Sequence, residues 1–211
     1  MRVLIFGDSI TQGYFDAEGG WVGRLRQEYD RLRENGPKID PPVVFNLGIS
    51  GNTSQDVAAR IDNETRARLW PGEEMVVIIN VGVNDARIDG TRPFLAPEQY
   101  RNNLMMAIET SKKYSDKILI VGLLPCIENR TTPVDWSEDN ISWTNQRIRD
   151  FDRTANEVAT AHNLPFVDIF APFQAHLVKH DLLPDGLHPN SEGHQIIAGI
   201  VRPPLSNLVD G

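Results

Sequence analysis

The chain has 211 residues and a formal net charge of −8, with an isoelectric point near 5.1. Forty per cent apolar and 24% charged residues fit one folded domain over residues 1–211 and exclude a disordered, fibrous or low-complexity chain. The acidic balance disfavours nucleic acid as a partner, no run approaches the ~20 apolar residues that span a membrane, and Cys126, the single cysteine, rules out an intrachain disulfide.

The basic residues gather on no single face. Arg24, Arg26, Arg31 and Arg33 are interleaved with Glu28, Asp30 and Glu34, the pattern of a solvated helix face. Met1 leads straight into a short apolar run, residues 3–6, that is too brief for a secretory signal. The expected location is therefore cytoplasmic. Nothing in the patterning assigns an oligomeric state.

In chain order, the apolar run 3–6 is followed by 43–47, 75–83, 118–124 and 166–170. All are rich in Val and Ile and predict buried strands. Helical periodicity fills the intervals. Residues 21–35 place Val22, Leu25, Tyr29 and Leu32 three and four apart and stop at Gly36-Pro37. Residues 54–69 stop at Trp70-Pro71-Gly72, and 97–114 begin on Pro97, a good first-turn residue. Residues 143–162 carry Ile148, Phe151, Ala155 and Val158, and shorter patterns cover 173–179 and run on from 190. Pro203-Pro204 should end or kink that last helix. Alternating strand and helix implies right-handed crossovers and a parallel sheet covered on both faces. Two segments of poor periodicity, 87–95 and 126–142, follow strands and so hang at the carboxyl edge, where ligands bind in such sheets and where these loops could serve as lids.

Four motifs sit at that edge or face it. They are Gly7-Asp8-Ser9-Ile10 after the first strand, Asn46-Leu47-Gly48-Ile49-Ser50-Gly51 after the second, Gly82-Val83-Asn84-Asp85 after the third, and Asp185-Gly186-Leu187-His188-Pro189 before the last helix. Each alone reads as a turn or a helix cap. Together they supply a hydroxyl nucleophile, an imidazole to take its proton, a carboxylate three residues upstream to orient that imidazole, and donors for an oxyanion. That set points to Ser9 as nucleophile, His188 as general base and Asp185 as its orienting acid.

These blocks resemble the SGNH hydrolases, the GDSL family of esterases and lipases. Ser9, Gly48, Asn84 and His188 match the family's four letters in order, and the blocks stretch over nearly the whole chain; Ile10 replaces the Leu of Gly-Asp-Ser-Leu. The resemblance implies a three-layer α/β/α sandwich, flavodoxin-like, with a five-stranded parallel sheet in the order 2-1-3-4-5. It implies a serine ester hydrolase working through an acyl-serine intermediate. It also implies an oxyanion hole made of the Ser9 and Gly48 backbone N–H groups and the Asn84 amide. Asp8 and Asp85 are read as supporting residues that hold these loops.

No cofactor or metal is expected. His176 and His180 have ligand spacing on one helix face but no partnering Glu between them, and no phosphate-binding Gly-rich loop is present. His194 is a rival base lacking an upstream carboxylate. Cys126 reads as a partly buried strand-end residue. The expected partner is a small-molecule ester, with a short acyl or acetyl group on a small alcohol or sugar. Its recognition falls to Arg87, Arg92, Phe94, Arg130, Trp136 and Trp143. Alternatives are an acyltransferase, a thioesterase or lysophospholipase on the same site, and a non-catalytic binding module.

Overall fold

The computed structural model describes residues 1–34 and 40–210; the Gly36-Pro37 stop lies outside them. In chain order the elements are β1 (Arg2–Gly7), α1 (Ser9–Gln12), α2 (Gly20–Glu34), β2 (Val43–Gly48), α3 (Ser54–Arg66), β3 (Met75–Asn80), β4 (Ile88–Asp89) and β5 (Arg92–Pro93). Then come α4 (Pro97–Ser111), β6 (Ile118–Val121), α5 (Glu128–Thr131), β7 (Ile141–Ser142), α6 (Asn145–Ala161), β8 (Phe166–Val167), α7 (Phe170–Leu177) and α8 (Ser191–Asp210).

The five apolar runs form one parallel sheet in the order β2-β1-β3-β6-β8. Counting only these five, that is the expected order 2-1-3-4-5. Every residue of the central strand β3 is buried, which is why Met-Val-Val-Ile-Ile shows no alternation. Each such side chain contributes on the order of 1.5–3 kcal/mol by leaving water. Helix α2 packs on α8, while α3 packs on α4 and α4 on α6, so the helices form two layers around the sheet. No helix among the described residues is long and apolar enough to cross a membrane.

Two features refine the expectation. Of the two outcomes expected at Pro203-Pro204, an end or a kink, the helix does not take the first: α8 runs through both prolines to Asp210. The prolines deprive the Gly199 and Ile200 carbonyls of their usual donors. Pro203 is exposed and Pro204 half-buried, however, while Ile197, Val201 and Leu205 on the inner stripe are fully buried. Packing of that stripe outweighs the lost bonds. The second lies in the segments 87–95 and 126–142, which are not separate loops. Strand β4 pairs antiparallel with both β5 and β7, so a small three-stranded sheet joins them above the carboxyl edge.

Candidate active site

The sheet register sets the site. Gly7 of β1 lies level with Gly48 of β2 and with Asn80 of β3. The chain leaves the sheet after that row, and the chemistry-bearing residues follow within a few positions: Ser9 from β1, Gly51 from β2 and Asn84 from β3. Asp8 caps α1 by accepting the Ile10 N–H at 2.9 Å, which turns the chain sharply and starts the helix at Ser9.

His188 reaches Ser9 from the loop between α7 and α8. Ser9 Oγ lies 2.9 Å from His188 Nε2, and His188 Nδ1 lies 2.6 Å from Asp185 Oδ2. The other carboxylate oxygen, Asp185 Oδ1, accepts the Leu187 and His188 backbone N–H groups at 2.9 and 2.8 Å. Burial pushes the Asp185 carboxyl up, but the His188 ring and these two N–H groups outweigh it and hold it below its ordinary value. An ionised Asp185 keeps the proton on Nδ1 and leaves Nε2 free to accept from Ser9.

Gly48, expected as an oxyanion donor, has its N–H engaged elsewhere. Its N–H donates to Asn46 Oδ1 at 3.0 Å within its own loop, and it is absent from the cleft lining. A Cβ there would stand 2.2 Å from the Gln12 backbone nitrogen, so glycine is required for packing β2 against α1. Gly51, three residues on, lines the cleft beside Ser9 and Asn84. Its φ of +80° suits glycine, and its N–H meets no intramolecular acceptor among the described residues. The Asn84 amide nitrogen donates to Asn52 O at 3.0 Å, which leaves its second N–H available.

The cleft holds about 820 Å³. Trp136 is 47% exposed and flanks His188 with ring centroids 6.4 Å apart; Trp143 lies beneath it, buried, with its indole N–H on Val83 O at 2.7 Å. Arg87 and Arg130 line the cleft, whereas Arg92 and Phe94 do not. Arg130 is paired with Asp181, and Arg87 with Asp89. Two aromatic residues not anticipated from the motifs, Tyr14 and Phe15, complete the rim, with the Tyr14 ring 4.9 Å from that of His188. They lie in the aperiodic stretch after α1, where no sequence pattern marks them.

The supporting and rival residues take clear places. Burial pushes the Asp8 carboxyl up to about 7. Asp85 accepts from the Ser54 N–H at 2.9 Å and from the Ser54 hydroxyl, pinning the Asn84 turn to the start of α3. His194 is fully buried, with Nε2 3.0 Å from Tyr14 O, and burial holds its imidazole below its ordinary value. It does not line the cleft. Cys126 is buried beyond expectation, and burial pushes its thiol up to about 11. His180 pairs with Glu192 across to α8, and no group of three potential metal ligands occurs among the described residues.

Comparison with known proteins identifies the family. The model of the GDSL-like lipase/acylhydrolase family matches residues 5–196. An acetylxylan esterase of Geobacillus stearothermophilus is 29% identical, with 93% of this chain and 90% of that protein aligned. The thioesterase 1/protease 1/lysophospholipase L1 of Escherichia coli strain K12 is 25% identical over 99% of this chain and 85% of its own. A lipase/acylhydrolase structure from Enterococcus faecalis superposes with a TM-score of 0.75 at 24% identity, covering 98% of this chain and 95% of that one. With the matching sheet order and a family model spanning nearly the whole chain, this protein belongs to the GDSL-like lipase/acylhydrolase family and is a serine ester hydrolase.

Proposed function

We propose that Ser9, His188 and Asp185 form the catalytic triad. The observation that carries this reading is the continuous chain of short contacts, 2.9 Å from Ser9 to His188 and 2.6 Å from His188 to Asp185, opening on a cleft. Ser9 Oγ attacks the ester carbonyl carbon while His188 Nε2 takes the hydroxyl proton. The negative charge on the carbonyl oxygen is met by the Ser9 and Gly51 N–H groups and the free N–H of Asn84. Each such donor is worth about 3 kcal/mol in the transition state. Collapse expels the alcohol, which takes the proton from His188 and leaves an acyl-Ser9. Water, deprotonated by His188, then attacks that ester and releases the acid. The mechanism takes no metal or cofactor.

The preferred substrate is a short acyl ester, acetyl foremost, on a small alcohol or sugar. The Geobacillus relative, named an acetylxylan esterase, supports this. So does the half-exposed rim of Tyr14, Phe15 and Trp136, whose flat faces suit a sugar ring. A panel of p-nitrophenyl esters of rising chain length, run beside acetylated xylosides, tests it. The expected result is a kcat/KM that is highest for acetate and falls with length, with deacetylation of the xylosides. A kcat/KM that climbs with chain length would favour the thioesterase and lysophospholipase reading instead.

A further inference from the structure

Arg60 stands on α3, half-buried, and none of its hydrogen bonds goes to a carboxylate. Among the described residues it forms no ion pair within 4.0 Å. Burying part of a guanidinium with no carboxylate in direct contact is costly, so its neutral acceptors matter. Two of them, Gly7 and Leu47, lie at the carboxyl ends of β1 and β2, and the third, Asn52, lies in the loop after β2. Nη2 donates to Leu47 O at 2.7 Å and to Gly7 O at 3.1 Å, and Nε donates to Asn52 Oδ1 at 2.8 Å. Its plane lies over the Phe6 ring, 5.5 Å from the centroid.

Two of the acceptors lead directly to site residues, and the third, Leu47, holds the end of β2. Gly7 precedes Asp8 and Ser9, and its carbonyl also accepts the Ile49 N–H at 3.1 Å. Asn52 follows Gly51, and its backbone carbonyl accepts from the Asn84 amide at 3.0 Å. A single planar fork therefore spans the nucleophile turn, the end of β2 and the residue that orients Asn84. Lysine, a point charge without a fork, cannot reproduce these directions.

We propose that Arg60 is a positioning residue for the oxyanion hole, acting through Asn52 to aim the Asn84 amide and the Gly51 N–H at the substrate oxygen relative to Ser9. The proposal rests on the reading of Asn84 as an oxyanion donor. Its effect belongs to the transition state, so losing Arg60 lowers kcat and leaves KM nearly unchanged. Displacement of a donor by about 1 Å is enough for a loss of roughly 10- to 100-fold.

The test uses p-nitrophenyl acetate kinetics on Arg60→Gln, Asn52→Ala, Asn52→Asp, Asn84→Ala and the double variant Arg60→Gln/Asn84→Ala, each with its melting temperature. Asn52→Ala removes the side-chain acceptor without leaving a buried cation wholly stranded, and so covers the case in which Arg60→Gln does not fold. Asn52→Asp restores an acceptor to Nε. The expected results are a fall in kcat at constant KM for Arg60→Gln and Asn52→Ala, near-normal kcat for Asn52→Asp, and a double variant little worse than Asn84→Ala alone. Unchanged kcat in folded Arg60→Gln or Asn52→Ala beside a crippled Asn84→Ala would overturn the role of Arg60. So would losses that multiply fully in the double variant, or an Asn52→Asp as slow as Asn52→Ala. An active Asn84→Ala would instead overturn the oxyanion assignment itself.

Discussion

Asp185 grips His188 at two points: Oδ2 lies 2.6 Å from the ring Nδ1, and Oδ1 accepts the residue's own backbone N–H at 2.8 Å. The three-residue spacing allows both contacts from one carboxylate, so orientation of the imidazole and closure of its loop are a single structural event. Asp185→Asn should preserve the loop bonds to Oδ1 but favour the wrong tautomer, lowering kcat by on the order of 10³- to 10⁴-fold. Its stability effect has a definite sign. The native carboxyl is held below its ordinary value of 3.8, so its contribution is present above that pH and is lost as pH falls through the lower folded value. Wild type and Asp185→Asn should therefore converge in melting temperature only in strong acid. A variant of undiminished kcat would remove Asp185 from the triad.

Asn84→Ala should lower kcat by roughly 100-fold or more with little change in KM, since under the proposed mechanism its free N–H serves only the developing oxyanion. Steady-state kinetics on the folded variant checks this; a loss confined to KM would assign Asn84 to ground-state binding.

Gly48 and Gly51 should part ways on substitution. Gly48→Ala drives a Cβ into the Gln12 backbone and should lower the melting temperature. Gly51→Ala meets no neighbour, but its φ of +80° costs about 1–2 kcal/mol with a side chain. The loop should shift, so kcat falls more than stability does. The opposite pattern would return the oxyanion role to Gly48.

Asp8 gives a pH test of burial. Its carboxyl is pushed up from 3.8 to about 7, so the folded state binds its proton more tightly than the unfolded state does. That contribution to stability is complete below pH 3.8 and is lost as pH rises through about 7. Asp8→Asn should therefore gain on wild type in melting temperature as pH is raised across that window. Parallel curves would show that Asp8 is ionised throughout.

The two candidate bases separate cleanly. His188→Ala should abolish nearly all turnover. His194→Ala should keep it while lowering the melting temperature, since it vacates a fully buried site and drops the bond to Tyr14 O. Inactivity of the His194 variant alone would overturn the assignment.

The sheet could be read from sequence because β3 and β6 are buried throughout and β1 everywhere after Arg2, so unbroken Val and Ile runs mark them; edge strand β2, exposed at Val43 and Asn46, is marked by its apolar run alone. The proposed triad was legible because Asp185 and His188 lie three apart in sequence and Ser9 follows the end of the first strand by two residues. Other features depend on tertiary pairing. Strands β4, β5 and β7 are two residues each, too short to show a period, and β4 meets β7 across more than fifty residues. Sequence alone does not choose between Gly48 and Gly51 as oxyanion donor, because the two share one motif; the register with Gly7 shows that the sheet still holds Gly48. The continuation of α8 through two prolines is decided by Val201 and Leu205 packing inward, a fact about neighbours that local propensity does not contain.

The central claim, that Ser9 carries the acyl group, is tested most directly by stoichiometric labelling with an organophosphonate, followed by peptide mass mapping and parallel assay of esterase activity. The predicted result is one adduct per chain, located on Ser9, with activity lost in proportion to labelling. An adduct on any other residue, or full activity in completely labelled protein, would contradict it.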